Sequence, residues 1–235
     1  MTTIIAFAGK KQSGKSTCCE AIENYFDGQY EIETFSFADQ LKQLCINLFG
    51  LSIEQVYGTD AQKNTKTSYK WEDMPGAIAD FELYEQLLQQ GLWKTGGLDK
   101  YLTFHKPGYM TAREFLQFFG TEIGRKIYGN IWVNATINQI LAIEPDIALI
   151  DDCRFPNEAD GVLNEDGLVI RLNRSIYDDE HDSETALDPN NFDHNKFSYI
   201  LDNSQLNIQE QSANVIRYVS DKLNLNLKPE ILHAN

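Results

Sequence analysis

Gly9, Gly14, Lys15 and Ser16 complete the spacing G-x-x-x-x-G-K-S, and residue types at that spacing can hold a chain of phosphates. The two glycines bracket a loop whose backbone N–H groups can turn inward on phosphate oxygens. Lys15 can then reach the β- and γ-phosphates, and the Ser16 hydroxyl can ligate Mg²⁺. The context matches the motif. Ile4 to Ala8 is a short apolar run suited to a buried parallel strand. After the loop, Ala21, Ile22, Tyr25 and Phe26 recur at helical spacing, so a helix N-terminus points at the same anion. Strand, loop, Lys-Ser and helix in that order predict a nucleoside triphosphate site.

A second group of residues supplies what such a site still needs. The apolar run Ile147 to Ile150 ends in Asp151 and Asp152, followed by Cys153-Arg154-Phe155-Pro156-Asn157-Glu158. A carboxylate closing a strand can orient Mg²⁺ or its waters. Asp152 is the expected metal residue with Ser16, and one residue of register leaves Asp151 open for the same task. Arg154 is placed to pair with phosphate through its planar fork.

Several elements must carry these residues. Glu31 to Phe37 reads as a second strand, and Leu41, Leu44, Cys45, Leu48 and Phe49 follow at helical spacing. Residues 58 to 110 read as an insertion with one helix at about 78 to 90 and too few apolar residues for a core of its own. Thr111-Ala-Arg-Glu114 is a capping box opening a helix that buries Phe115, Leu116, Phe118, Phe119 and Ile123. Arg113, Gln117, Thr121 and Arg125 would form a polar stripe on its other side. A helix from about Trp132 to Ile143 stops before Pro145, and strands are expected at 147–150, 168–172 and 197–201. Ile208, Val215, Ile216, Val219 and Leu223 mark a last amphipathic helix. Strands alternating with helices predict an α/β fold with a parallel sheet and a site at the strands' carboxyl ends.

Composition narrows the classes of partner. The 235 residues suit one α/β domain, and 42 % hydrophobic with 23 % charged residues is ordinary for a globular protein. A net charge of −15 argues against a nucleic-acid partner. No apolar run approaches the roughly 18 residues of a membrane span, and no secretory leader is expected. Cys18, Cys19, Cys45 and Cys153 lack disulfide or zinc spacing and read as buried thiols of a reducing cytoplasm.

The sequence resembles bacteriophage deoxynucleoside monophosphate kinases, within the P-loop nucleotide kinases. The resemblance rests on Gly9 to Ser16, Phe37-Ala-Asp-Gln-Leu-Lys42, Arg113-Glu-Phe-Leu-Gln-Phe-Phe-Gly-Thr121 with Trp132, and Asp152 to Glu158. His181-Asp-Ser-Glu184 and Asp202-Asn203 extend it, while residues 59 to 110 match only loosely. It implies a single domain over 1–235, a three-layer αβα sandwich with about five parallel strands. A monophosphate-binding insertion at about 38–145 and a short lid at about 173–196 would complete it.

The resemblance also implies roles. Gly9, Gly14, Lys15, Ser16, Thr17 and Asn203 would bind ATP, with Mg²⁺ as cofactor. Lys11, Leu41, Lys42, Lys63, Arg113, Gln117, Gly120, Thr121, Trp132, Asp152 and Arg154 would bind the monophosphate. Lys15, Asp152, Arg154 and, on the lid, Arg174 would assist the transfer. Gln12 departs from a pattern that favours a basic residue, which shifts phosphate contact toward Lys10 or Lys11. The partners implied are small nucleotides in the cytoplasm of a host cell, with a homodimer left open.

The same fold could serve another small acceptor such as dephospho-coenzyme A. A GTP-binding switch fits less well, because Asn195-Lys196 lacks the following residues of a guanine-reading Asn-Lys-x-Asp.

Overall fold

Ile4 to Ala8 are buried throughout β1 (Thr3–Ala8), so this strand must be covered on both faces. It is the middle strand of a sheet in the computed structural model, which describes residues 2–78, 80–90, 103–175 and 185–225. There follow α1 (Lys15–Phe26), β2 (Ile32–Phe35), α2 (Asp39–Phe49), α3 (Ile53–Tyr57), α4 (Asp60–Lys63), β3 (Lys66–Lys70) and β4 (Ala77–Ile78). Next come α5 (Phe81–Gln89), β5 (Thr103–Phe104), β6 (Tyr109–Thr111), α6 (Ala112–Gln117), a π-helix (Phe118–Arg125) and α7 (Ile131–Ile143). The chain continues through β7 (Ile147–Cys153), α8 (Pro156–Asn164), β8 (Leu168–Leu172), β9 (Tyr199–Leu201) and α9 (Ile208–Leu223). It divides into two compact units, residues 1–40 with 132–235, and residues 41–131.

The first unit is built on a five-stranded sheet in the order β2-β7-β1-β8-β9, every neighbouring pair parallel. Successive side chains of a strand point to opposite faces. Ile5 and Phe7 accordingly join Cys18, Ile22 and Phe26 of α1 and Val215, Ile216 and Val219 of α9 in one core. Ile4, Ala6 and Ala8 join Val133, Ile137 and Ile140 of α7 and Ala159 and Val162 of α8 in another. Helices on both faces of a parallel sheet make a three-layer α/β sandwich, the architecture that the resemblance to P-loop kinases implies.

Several boundaries have local causes. Strand β2 is shorter than the expected Glu31–Phe37, because Ser36, Phe37 and Ala38 leave the sheet to bond the Asp152 carboxylate. Helix α7 ends where Glu144 takes a left-handed φ of 56° before Pro145. The segment 185–197 is anchored, since Leu187, Phe192 and Phe197 are buried in the core on the α7–α8 face. All four cysteines are buried and free, as small apolar side chains. No helix among the described residues is long and apolar enough to cross a membrane.

The second unit has its own core of Cys45, Leu51, Val56, Trp71, Met110, Ala112, Phe115 and Phe118. Among the described residues of 58–110, Trp71 and Met110 are buried in this core, beside apolar residues of the flanking α2, α3 and α6. Helix α6 begins at the expected capping box: Glu114 N–H donates to Thr111 Oγ1 at 3.1 Å, and Thr111 N–H donates to Glu114 Oε2 at 2.6 Å. It then widens into the π-helix from Phe118. A Cβ on Gly120 would lie 2.6 Å from Leu41 Cδ2, so glycine lets α2 and this wide turn touch.

Candidate active site

The G-x-x-x-x-G-K-S loop joins β1 to α1 at the carboxyl end of the sheet. Its glycines answer to crowding. A Cβ on Gly9 would meet Ser13 Oγ at 2.5 Å and the Leu172 carbonyl at 3.0 Å. Gly14 has a φ of 99°, in the left-handed region, and a Cβ there would strike Gln211 Nε2 at 2.5 Å. Lys15 Nζ donates to the Gly9 and Lys10 carbonyls, both at 2.8 Å, so its ammonium lies across the loop. Lys11 and Gln12 are exposed on the loop's outer side, and Thr17 is half-buried in the first turn of α1.

The two aspartates of β7 turn to different neighbours, at a point where the register between β1 and β7 shifts. Asp151 turns toward α1, and Asp152 toward the segment that follows β2. Ser16 Oγ donates to Asp151 Oδ2 at 2.8 Å. Asp152 instead accepts from Ser36 Oγ at 2.5 Å, Phe37 N–H at 2.7 Å and Ala38 N–H at 3.1 Å, which fixes the turn from β2 into α2. Of the two aspartates, Asp151, the alternative register, is the one hydrogen-bonded to Ser16. A hydroxyl and a carboxylate side by side are hard oxygen donors of the kind Mg²⁺ takes, so the residues present fit that ion.

Beyond β7, the buried Glu158 carboxylate accepts from the N–H groups of Arg154 and Phe155 at 2.8 and 3.0 Å. This caps α8 and sets the backbone from which the half-buried Arg154 side chain projects. Sequence reasoning quoted Glu158 without giving it this task. Trp132 is 5 % exposed in the first turn of α7, which is the environment of a core residue.

Asn203 and Arg174 are placed differently from the roles the resemblance implies. Asn203 is fully buried, and its carboxamide is spent inside the protein, donating to the Ser13 carbonyl at 2.8 Å and to Gln211 Oε1 at 2.6 Å. Arg174 Nε and Nη2 donate to the Asn203 carbonyl at 3.1 and 2.8 Å, and Nη2 also to the Leu206 carbonyl. Its guanidinium is thus tied to the loop before α9 rather than extended as a lid cation. His181 and Glu184, and the lid expectation over 176–184, lie outside the described residues. Sequence reasoning did not single out Gln211 or the Asp188 carboxylate. The latter sits 3.4 Å from Arg171 Nη2 and 3.8 Å from Lys10 Nζ.

The second unit holds the other expected substrate residues. Arg113 Nη2 is 2.6 Å from Asp60 Oδ1, at the start of the short helix that ends in Lys63. The backbone supports this pairing, since Ala112 N–H donates to the Thr65 carbonyl at 3.0 Å. Lys42 Nζ lies 4.8 Å from the Tyr57 ring centroid. Gln117 and Thr121 are exposed, Gly120 is buried, and Leu41 packs on it. Arg113 and Gln117 lie on α6, and Thr121 and Arg125 of the same stripe lie on the π-helix that continues it.

No protein-family model matches the chain. Two curated proteins are similar to it over most of its length. One, of Acanthamoeba polyphaga mimivirus, is provisionally named a deoxynucleotide monophosphate kinase. It is 28 % identical over 198 residues, covering 78 % of this chain and 81 % of that protein. The other is the deoxynucleoside-5'-monophosphate kinase of Escherichia phage T5, 23 % identical over 243 aligned positions, covering 85 % of this chain and 92 % of that protein. With its P-loop and parallel sheet, the chain is a distant homologue of viral proteins that carry the name deoxynucleotide or deoxynucleoside monophosphate kinase.

Proposed function

We propose that this protein transfers the γ-phosphoryl group of ATP to deoxynucleoside monophosphates, giving ADP and deoxynucleoside diphosphates. The observation that carries the reading is the placement of Lys15, Ser16 and Asp151 around one P-loop, in a chain whose relatives are named for this activity. A monophosphate oxygen attacks the γ-phosphorus in line while the bond to the β,γ-bridging oxygen breaks. Catalysis of this kind is mostly positioning and charge neutralisation. Lys15 leaves the Gly9 and Lys10 carbonyls for the β- and γ-phosphate oxygens, and the loop's N–H groups hold the remaining charge. Ser16 and Asp151 would hold Mg²⁺, which supplies further neutralisation of the phosphates. Arg154, on a backbone fixed by Glu158, faces the transferring group.

Residues 41–131 act in this reading as the acceptor-binding insertion of a single kinase domain. Lys42, Lys63 and Arg113 provide cations for the monophosphate, helped by Lys11, Gln117 and Thr121, and Leu41 and Gly120 shape the insertion's surface. ADP release measured with ATP and Mg²⁺ against a panel of deoxy- and ribonucleoside monophosphates, with dephospho-coenzyme A as a further acceptor, tests the reading. Turnover is expected with at least one deoxynucleoside monophosphate and not with dephospho-coenzyme A. Hydrolysis unaffected by every acceptor would overturn it.

A further inference from the structure

Three buried polar side chains on the first unit's inner side have no place in the transfer itself. Ser13 and Asn203 are fully buried and Gln211 is 1 % exposed. Asn203 Nδ2 donates to the Ser13 carbonyl at 2.8 Å and to Gln211 Oε1 at 2.6 Å. Gln211 Nε2 in turn donates to the Gly14 carbonyl at 3.2 Å and to Cys18 Sγ at 3.1 Å. Asn203 Oδ1 accepts the backbone N–H of Arg174 at 2.8 Å, and the Arg174 guanidinium holds the carbonyls of Asn203 and Leu206. The network reaches from the end of β8, through the loop before α9, to two consecutive carbonyls of the P-loop.

In a trans peptide the C=O and the following N–H point in opposite directions. Drawing the Ser13 carbonyl toward Asn203 therefore turns the Gly14 N–H the other way. The Gly14 carbonyl, which also accepts the Cys18 N–H at 3.0 Å as the first bond of α1, is held the same way by Gln211, and the Lys15 N–H is turned accordingly. Those two N–H groups belong to the loop's phosphate-facing set. We propose that Gln211, with Asn203, is a positioning residue that aims the Gly14 and Lys15 N–H groups at the triphosphate of the bound nucleotide. Arg174 braces the same network from behind. The relation is reciprocal: a triphosphate on the P-loop stabilises the first turns of α9.

This inference rests on the reading of the P-loop as an ATP site but not on the identity of the acceptor, so ATP binding is measured directly without acceptor. Gln211→Glu keeps an oxygen for Asn203 Nδ2 and replaces the donor facing the Gly14 carbonyl by a second oxygen. Gln211→Met removes both polar atoms without adding charge. For a folded variant of either kind, we expect the ATP Kd by titration calorimetry to rise about 10-fold or more. The KM for ATP should follow it and the KM for the monophosphate should change less than about twofold. A purely structural role would lower the melting temperature and leave the Kd of the folded protein alone, so folded variants with wild-type ATP affinity overturn the proposal. Hydrogen exchange on the wild-type chain provides a readout that needs no variant. ATP should slow exchange at 208–215 more than at 219–223, and equal effects at the two ends of α9 also overturn it. If ATP binding behaves as described while no deoxynucleoside monophosphate is phosphorylated, the acceptor assignment fails and the role of Gln211 stands.

Discussion

Ser16 donates its hydroxyl proton to Asp151, 2.8 Å away, across a sequence distance of 135 residues. Asp152, the next residue along β7, faces away and caps the turn into α2. The neighbouring carboxylates therefore have separable effects. Asp151→Asn should raise the Mg²⁺ concentration needed for half-maximal turnover and leave the melting temperature nearly unchanged. Asp152→Ala removes the acceptor for three donors, a loss of about 2–4 kcal/mol. At about 2–4 °C per kcal/mol for a protein of this size, its melting temperature should fall by roughly 5–15 °C. Mg²⁺ titrations and thermal melts of the two variants check the assignment, and a raised Mg²⁺ requirement in neither would contradict it.

Lys15→Ala should abolish transfer, by at least about 100-fold in kcat, because the Lys15 ammonium lies across the loop, on the Gly9 and Lys10 carbonyls. The substitution leaves the buried Gly9 carbonyl and the part-buried Lys10 carbonyl without this donor, so the melting temperature should fall modestly while circular dichroism shows a native fold. Lys15→Arg should not rescue activity, since a planar guanidinium does not fit where a compact ammonium bridges two carbonyls.

Arg113 and Asp60 form an ion pair whose partners are 34 % and 66 % exposed, a setting in which the pair contributes at most about 1 kcal/mol to stability. Its interest is competition for the guanidinium. Arg113→Ala should raise the monophosphate KM by about 10–100-fold while the ATP KM changes little. Asp60→Asn releases the guanidinium and should lower the monophosphate KM by about 2–5-fold. Steady-state kinetics varying each substrate in turn decide both, and a change confined to the ATP KM would remove Arg113 from the acceptor site.

The Cys18 thiol is pushed up from 9.0 to about 12 by burial, and burial also holds the Cys19 and Cys153 thiols well above their ordinary value. Below pH 9 the folded and unfolded chains both keep these protons. As pH rises from 9 toward 12 the unfolded chain loses them while folded Cys18 does not, so stability drains away. The loss should be about 1.4 kcal/mol per pH unit for Cys18 alone. Chemical denaturation at pH 8, 9 and 10 should show midpoints level at first and then falling. The native protein should react slowly with thiol reagents at pH 8.

The P-loop was legible because its residues are contiguous and its chemistry is local. The choice between Asp151 and Asp152 was not, since β7 shifts its register against β1 at these residues and only partners 135 and 116 residues away, Ser16 and Ser36, tell them apart. The polar stripe from Arg113 to Arg125 was legible as a spacing, but the change from α6 to a π-helix at Phe118 was not, since residue types alone do not announce the wider bonding. Arg174 looked like a free cation beside a lid, but its partners are carbonyls 29 and 32 residues away that no local pattern announces. Gln211 did leave a trace. It stands four residues before Val215 and eight before Val219, a polar side chain on the buried stripe of α9, and a glutamine there needs partners.

Strand β1 lies between β7 and β8, yet about 140 residues separate it from the first of these along the chain. During synthesis, Thr3–Ala8 must wait without its hydrogen-bonding neighbours until residues 147–172 have left the ribosome. Residues 41–131, with Trp71, Met110 and Phe115 in a core of their own, can become compact before then. The order of translation thus makes the helical unit the earlier structure and the phosphate-gripping loop a late one. A released fragment of residues 1–135 should be protease-resistant in its second unit while still unable to hold a triphosphate.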